Sequence, residues 1–341
     1  MSHYTYLGDS GLQISRVIVG CMSFGSKKWN EWVIEDEDKI FEILKHCYDK
    51  GIRTFDTADS YSNGESERLL GKFLKVYNIP RESVVIFSKV FFPLGDNEKG
   101  FNYTTRAQFP QHELINRQGL SRKHIIDGVR SSVERLGTYI DLLQIHRLDP
   151  NVPPKEIMRA LNNLVESNQV RYLGASTMKT WQFVNLQNIA EQNGWHKFIS
   201  MQNYYNLLYR EEEREMNDYC KHNGVGLIPW SPNARGILTR PLKTLTTRAT
   251  TDAAIKMVGL DSLSPESEEI INRVEKLASK KNVSMAVIST AWVLHKGCNP
   301  IIGFSKPSRV DEALEALDLE LLPEDIQFLE EPYRANNDLF G

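Results

Sequence analysis

Eight short apolar runs, each followed by a segment of helical periodicity, recur from one end of this chain to the other. The runs are Val17–Gly20, Thr54–Asp56, Val84–Lys89, Leu142–His146, Tyr172–Ala175, Ile199–Gln202, Gly226–Pro229 and Pro300–Gly303. The longer segments are Glu37–Lys50, Glu65–Tyr77, Ser121–Leu136, Pro154–Ser167, Thr180–Asn193, Arg210–Asn223, Val283–Lys296 and Ser308–Leu317. Short apolar runs bounded by turn residues read as strands, and longer segments of period 3.6 read as helices. Asn193-Gly194 and Asn223-Gly224 supply helix stops. Eight such units predict an α/β fold closed as a (β/α)8 TIM barrel, not an open doubly wound sheet. No linker divides the 341 residues, so one domain over 1–341 is expected.

Three pieces stand outside the repeat. Residues 4–15 read as a β-hairpin around Asp9-Ser10-Gly11, placed to plug the lower end of the barrel. One long loop, 91–120, follows the third run. Another, 233–265, follows the seventh and leads into an extra helix near 266–280. Both loops extend from the C-terminal mouth, and loops this long are uncommon unless functional. They are expected to wall a substrate pocket.

Composition narrows the class of partner. A formal net charge of −3 offers no basic field for nucleic acid or an anionic membrane. No apolar run approaches the ~20 residues that cross a bilayer, and the start, Met1-Ser2-His3-Tyr4, does not read as a secretory signal. Four dispersed cysteines at 21, 47, 220 and 298 form no C-x-x-C pair, so neither a zinc ribbon nor a disulfide framework is expected, and no metal site. The expected setting is cytoplasmic, and the expected state a monomer.

Chemistry gathers at the ends of successive runs. Asp56 ends the second run and Tyr61 follows it, while Lys89 and His146 end the third and fourth. In a parallel barrel these ends converge on one mouth, where active sites are built. Singly, each has an ordinary reading: a turn-capping Asp, a packing Tyr, a solvated Lys, a core His. Together they form a device for delivering a proton near neutral pH, because a lysine and an acid flank a phenol. A metal-dependent hydrolase would need His-x-His or clustered carboxylates at strand ends, and the sequence has none.

Gly51-Ile52-Arg53-Thr54-Phe55-Asp56-Thr57-Ala58 leading to Tyr61, then Ser88-Lys89, then Gln144-Ile145-His146, resembles the aldo-keto reductase family over nearly the whole chain. The stretch 16–25 and the ending Leu329-Glu330-Glu331-Pro332-Tyr333 resemble the branch of aryl-alcohol dehydrogenases. The resemblance implies reduction of a carbonyl with hydride from NADP(H). Tyr61 would donate the proton, Lys89 would lower its pKa, Asp56 would hold Lys89 charged, and His146 would orient the substrate oxygen.

The absence of Gly-x-Gly-x-x-Gly argues against a Rossmann domain. A barrel can instead take phosphate after its last strands. There Gly303 permits close approach, Ser305 and Lys306 donate, and Arg309 offers its fork. By resemblance this segment holds the adenosine 2′-phosphate, which favours NADPH, and Glu312 accepts from the adenine. The chain departs from many relatives at Ala313, where an Asn is usual, and at Gly303, where a Lys is common. Ser176 and Gln202 would bind the carboxamide, with Thr177 in place of the usual Asn or Arg beside Ser176. Trp230 would stack on the nicotinamide, and Met22 would line its ribose. Asp56 counts among the cofactor contacts too. Ser231, Asn233 and Gly236 would begin a loop over the pyrophosphate, with Arg240 as a ligand to it.

Trp29, Trp32, Phe91, Phe92 and Phe101 are expected to wall the pocket, which points to aromatic or medium-chain aldehydes as substrates. The alternative is a slow-turnover NADP(H)-binding subunit that senses redox state within a larger complex.

Overall fold

The computed structural model describes residues 3–102, 104–244, 251–337 and 339. Strands β1 (Tyr4–Tyr6) and β2 (Gln13–Ser15) form an antiparallel hairpin. The eight barrel strands are β3 (Ile18–Gly20), β4 (Thr54–Asp56), β5 (Val85–Val90), β6 (Ile140–Ile145), β7 (Val170–Ser176), β8 (Phe198–Gln202), β9 (Gly226–Leu227) and β10 (Ile301–Ile302). They pair in parallel in the order β10-β3-β4-β5-β6-β7-β8-β9. The ring closes where Asn299 N donates to Leu227 O at 2.9 Å and Ile301 N to Pro229 O at 3.0 Å. With helices around it, this is the expected (β/α)8 barrel.

The outer helices form where apolar residues keep helical spacing. Pro154–Glu166 starts on a proline and buries Ile157, Met158, Leu161 and Leu164 on one stripe. Met285–His295 is apolar on nearly every face and is correspondingly buried, with Pro265–Lys281 and Pro307–Asp318 packed beside it. The expected helix over 210–223 survives only as Met216–His222, after a 3-10 turn Glu211–Arg214. Side-chain partners pull that first part off the helical path. Glu211 accepts from Tyr333, Glu212 from Asn203 and Glu213 from Arg210.

The hairpin lies across the strand N-termini. Ser15 N donates to Thr54 Oγ1 at 2.8 Å, Arg53 N to Ser15 Oγ at 2.8 Å, and Asp9 N to Gly224 O at 2.8 Å. Leu7 and Ile14 pack inward on Ile18, Phe87, Leu142, Ile228 and Ile301, filling the lower interior. The four cysteines are buried and free. No helix among the described residues is long and apolar enough to cross a membrane.

Candidate active site

Side chains alternate along a strand, and in a barrel one interior layer is drawn from alternate strands. Asp56 of β4, Gln144 of β6 and Gln202 of β8 form such a layer, and it is polar. Gln144 Nε2 and Gln202 Nε2 donate to Asp56 Oδ1 at 3.0 and 2.9 Å, and Gln202 Nε2 also reaches Gln144 Oε1 at 2.8 Å. The other carboxylate oxygen, Oδ2, accepts from Lys89 Nζ at 2.5 Å. Asp56 is thus fixed by two amides and one ammonium.

Lys89 makes two further bonds, to Thr57 O at 2.9 Å and to Tyr61 OH at 3.1 Å. Its side chain is fully buried, so each ammonium proton has a partner where water has none to offer. Burial pulls the lysine pKa down, but Asp56 and Tyr61 outweigh it and the net shift is upward. Lys89 lowers the phenol pKa as expected from the sequence, but the net shift is upward. Burial pushes Tyr61 above its ordinary value, and the pull of Lys89 in the other direction is smaller. Removing a phenolate from water costs more than one neighbouring cation returns, because that cation is itself shared with Asp56.

His146 lies edge-on to Tyr61, ring centroids 5.9 Å apart. Burial, with Arg147 and Lys89 nearby, holds its pKa well below the usual range, so the imidazole is neutral at pH 7. Its Nδ1 is buried without a hydrogen-bond partner among the described residues. Tyr61, Asp56 and His146 open onto one cleft of about 1190 Å³, while Lys89 stands behind them. Tyr61 reaches its place through a strained turn: Ser62 and Asn63 have φ of 49° and 53°. Asn63 ties that turn to the first long loop through Asn97 Oδ1 and Phe101 O, both at 2.7 Å.

The cleft continues past Met22, Ser176 and Trp230 to Ser231, Asn233, Gly236 and Arg240, and ends at Gly303, Ser305, Arg309 and Glu312. Ser176 Oγ donates to Gln202 O at 2.8 Å, and Trp230 Nε1 to Thr177 Oγ1 at 3.1 Å. Asn233 accepts from Ser289 Oγ at 2.7 Å, and Arg240 Nε donates to Thr244 O at 2.9 Å. Arg309 Nη1 pairs with Glu312 Oε2 at 2.6 Å. Lys306, grouped with these residues in the sequence, is the exposed N-cap of Pro307–Asp318 and does not line the cleft.

Both long loops contribute wall. Trp29, Trp32, Phe92 and Phe101 line the cleft near Tyr61. Phe91 does not: it packs on the hydrophobic core, because adjacent residues leaving a strand point to opposite sides.

Sequence reasoning passed over several residues. Gln144 was visible as the i−2 neighbour of His146 on one strand face, whereas the Asn203 Oδ1 bond to Thr177 N at 3.1 Å carried no local signal. Arg147, directly after His146, also lines the cleft. Asp59 is fully buried, and its carboxyl meets no hydrogen-bond partner of good geometry among the described residues. Burial, followed by the nearby Glu67 charge, pushes its pKa well up from the usual carboxylate range.

A profile described as the aldo/keto reductase family matches residues 16–334. The chain is 58% identical over 328 residues to a Saccharomyces cerevisiae protein provisionally named an aryl-alcohol dehydrogenase, with 96% of each chain covered. It is 56% identical over 342 residues to a similarly named Schizosaccharomyces pombe protein, covering 97% of this chain and 95% of that one. It is also 53% identical over 332 residues to a versiconal hemiacetal acetate reductase of Aspergillus parasiticus, covering 97% and 96%.

Proposed function

The chain belongs to the aldo/keto reductase family and is an oxidoreductase that reduces carbonyls, and on that footing we propose that it reduces aldehydes to primary alcohols with NADPH. Family members generally bind NAD(P)H. The residues present fit such a group. The cleft runs unbroken from Tyr61 to the first turn of Pro307–Asp318. A Cβ at Gly303 would meet nothing nearer than 3.7 Å, and one of the atoms there, Ser23 Oγ, is a buried hydroxyl with no hydrogen-bond partner among the described residues. Backbone facing open space beside an unsatisfied donor suits a polar, elongated ligand.

When bound, the dihydronicotinamide supplies a hydride to the carbonyl carbon. Ser176 and Gln202 would hold its carboxamide, Trp230 would cover one ring face, and Ser305, Arg309 and Glu312 would hold the adenosine end. Tyr61 would transfer its proton to the carbonyl oxygen. The observation that carries this reading is the Asp56–Lys89–Tyr61 chain at 2.5 and 3.1 Å. Burial keeps the phenol protonated until it is needed. Once the proton leaves, the ammonium of Lys89 faces the phenolate directly and stabilises it. Neutral His146 would donate one hydrogen bond to the same oxygen. A positioned proton donor is worth ~10²–10⁴ in rate.

The aromatic wall of Trp29, Trp32, Phe92 and Phe101, with relatives named for aryl-alcohol and hemiacetal chemistry, favours aromatic or medium-chain aldehydes. The test is NADPH oxidation against a panel of benzaldehydes and C4–C8 aldehydes, in wild type and Tyr61→Phe. Wild type should turn over, and the variant should lose at least about a hundredfold in kcat while binding NADPH nearly as before. Full activity in Tyr61→Phe would remove the tyrosine from its role. Tight NADPH binding with no turnover of any aldehyde would favour a redox-sensing subunit instead.

A further inference from the structure

The wall that receives the substrate is aromatic, yet one of its members is a guanidinium. Arg147 follows His146 at the end of β6 and donates from Nη1 to the His146 carbonyl. Its Cζ lies 5.8 Å from the centroid of Phe92, and that ring sits 4.9 Å from the His146 ring. Arg106, on the first long loop, approaches the same Phe92 ring with its Cζ at 5.9 Å and also lines the cleft. One phenylalanine therefore carries two guanidinium groups, the inner half-buried and the outer exposed at the mouth.

Charge differs between the two walls: one mixes carboxylates with lysines, and the other, beside His146, carries guanidinium groups. Apart from Asp56, which is bound to Lys89, the carboxylates that line this part of the cleft, Glu31, Glu35 and Asp36, belong to the loop after β3, and Lys27 of that loop and Lys39 of the helix after it line the cleft beside them. Asp36 caps Glu37–Asp49, and Glu35 accepts from Ser26 Oγ and Lys27 N. Lys89, the other cation near Tyr61, is bound to Asp56 behind the cleft surface, and His146 is neutral. On the wall that carries His146 and Phe92, positive charge thus comes from Arg147, with Arg106 farther out. A guanidinium is weakly hydrated, stacks on aromatic faces and matches a carboxylate with two parallel donors. A flat aromatic ring bearing an acid complements both features of this wall.

We propose that Arg147 selects carbonyl substrates that carry an acidic group, a carboxylate or an ionised phenol, on the ring or chain that bears the aldehyde. This rests on the aldehyde-reductase reading and adds the substrate class to it. Arg106 offers a second cation on the path in, so that an anion is drawn to the mouth before it meets Arg147.

The test compares kcat/KM, with NADPH, for 2-, 3- and 4-carboxybenzaldehyde against the methyl ester of each. At least one acid should exceed its ester by about tenfold or more, mainly through KM, the scale of one charge-assisted hydrogen bond. Arg147→Met should bring that ratio to about one or below, and Arg147→Lys should keep part of it, since a point charge without the fork still attracts the anion. Acids no better than their esters in wild type, or a preference that survives Arg147→Met, would overturn the assignment. NADPH oxidation with none of the six compounds would sink the aldehyde-reductase reading itself, and this proposal with it. If Arg147→Met does not fold, inhibition of wild type by benzoate and benzamide decides. Benzoate should be the stronger by about tenfold, and equal inhibition would count against the proposal.

Discussion

Tyr61 is a phenol that burial keeps protonated, with a buried ammonium 3.1 Å away for the anion left behind. The ammonium holds that position because Asp56 takes one proton at 2.5 Å and Thr57 O another at 2.9 Å. At the other end of the cleft Arg309 is paired with Glu312 at 2.6 Å, and both are partly exposed. An exposed pair of this kind is worth little, so exchanging Glu312 for a phosphate costs little. Arg309→Ala should weaken NADPH binding by roughly ten- to a hundredfold, the loss of one charge-assisted contact, and NADH by only a few-fold. Fluorescence titration with both nucleotides measures this, and equal losses would contradict a role at the 2′-phosphate.

The segment after β9 shows how an element can be pinned by one pair. Arg235 has φ of 53° inside the 3-10 turn Ala234–Thr239, and its guanidinium reaches Asp252 Oδ2 at 2.8 and 2.5 Å. Asp252 in turn caps the backbone at Ala254 N, 3.1 Å away, ahead of the short helix Ala254–Met257. Both side chains are buried, so removing one leaves a charge in low dielectric, a loss of ~3 kcal/mol or more. Asp252→Ala should therefore speed amide hydrogen exchange in Ala234–Thr239 and Ala254–Met257 by roughly a hundredfold, leaving the barrel strands protected. Unchanged exchange would show that the apolar contacts of Leu238 and Ile255 hold the segment without the ion pair.

At the scale of the molecule, the two ends of the barrel have separate tasks. The lower end is closed by the hairpin, whose turn sits so close to Gly224 that a Cβ on Gly8 would lie 2.1 Å from the Gly224 carbonyl oxygen. Gly8 also has φ of +58°, a conformation costly for residues with a side chain. Gly8→Ala should destabilise the protein by about 2 kcal/mol, lowering Tm by a few degrees. The KM for aldehydes should stay unchanged, because the hairpin lies at the opposite end from the cleft. Differential scanning calorimetry beside steady-state kinetics tests both halves, and a stability equal to wild type would show that the hairpin turn yields without cost.

Strand and helix periodicity in the sequence determined the eight βα units, because the period of apolar residues is a local property of the chain. The order Asp56, Tyr61, Lys89, His146 was legible for a related reason: parallel strands share one direction, so their C-terminal ends meet at one mouth. Distances and partners belonged to the tertiary structure. Only closure of the ring brings Gln144 and Gln202 onto Asp56, across 88 and 146 residues of sequence. Only burial decides that the Tyr61 pKa rises in spite of Lys89. Which of Phe91 and Phe92 faces the cleft turns on a rotation of about 180° between neighbours leaving a strand, and Lys306 misses it because it is the extended N-cap, outside the helical turn that orients Arg309. Composition does not record that angle; the packing of each element against the barrel sets it.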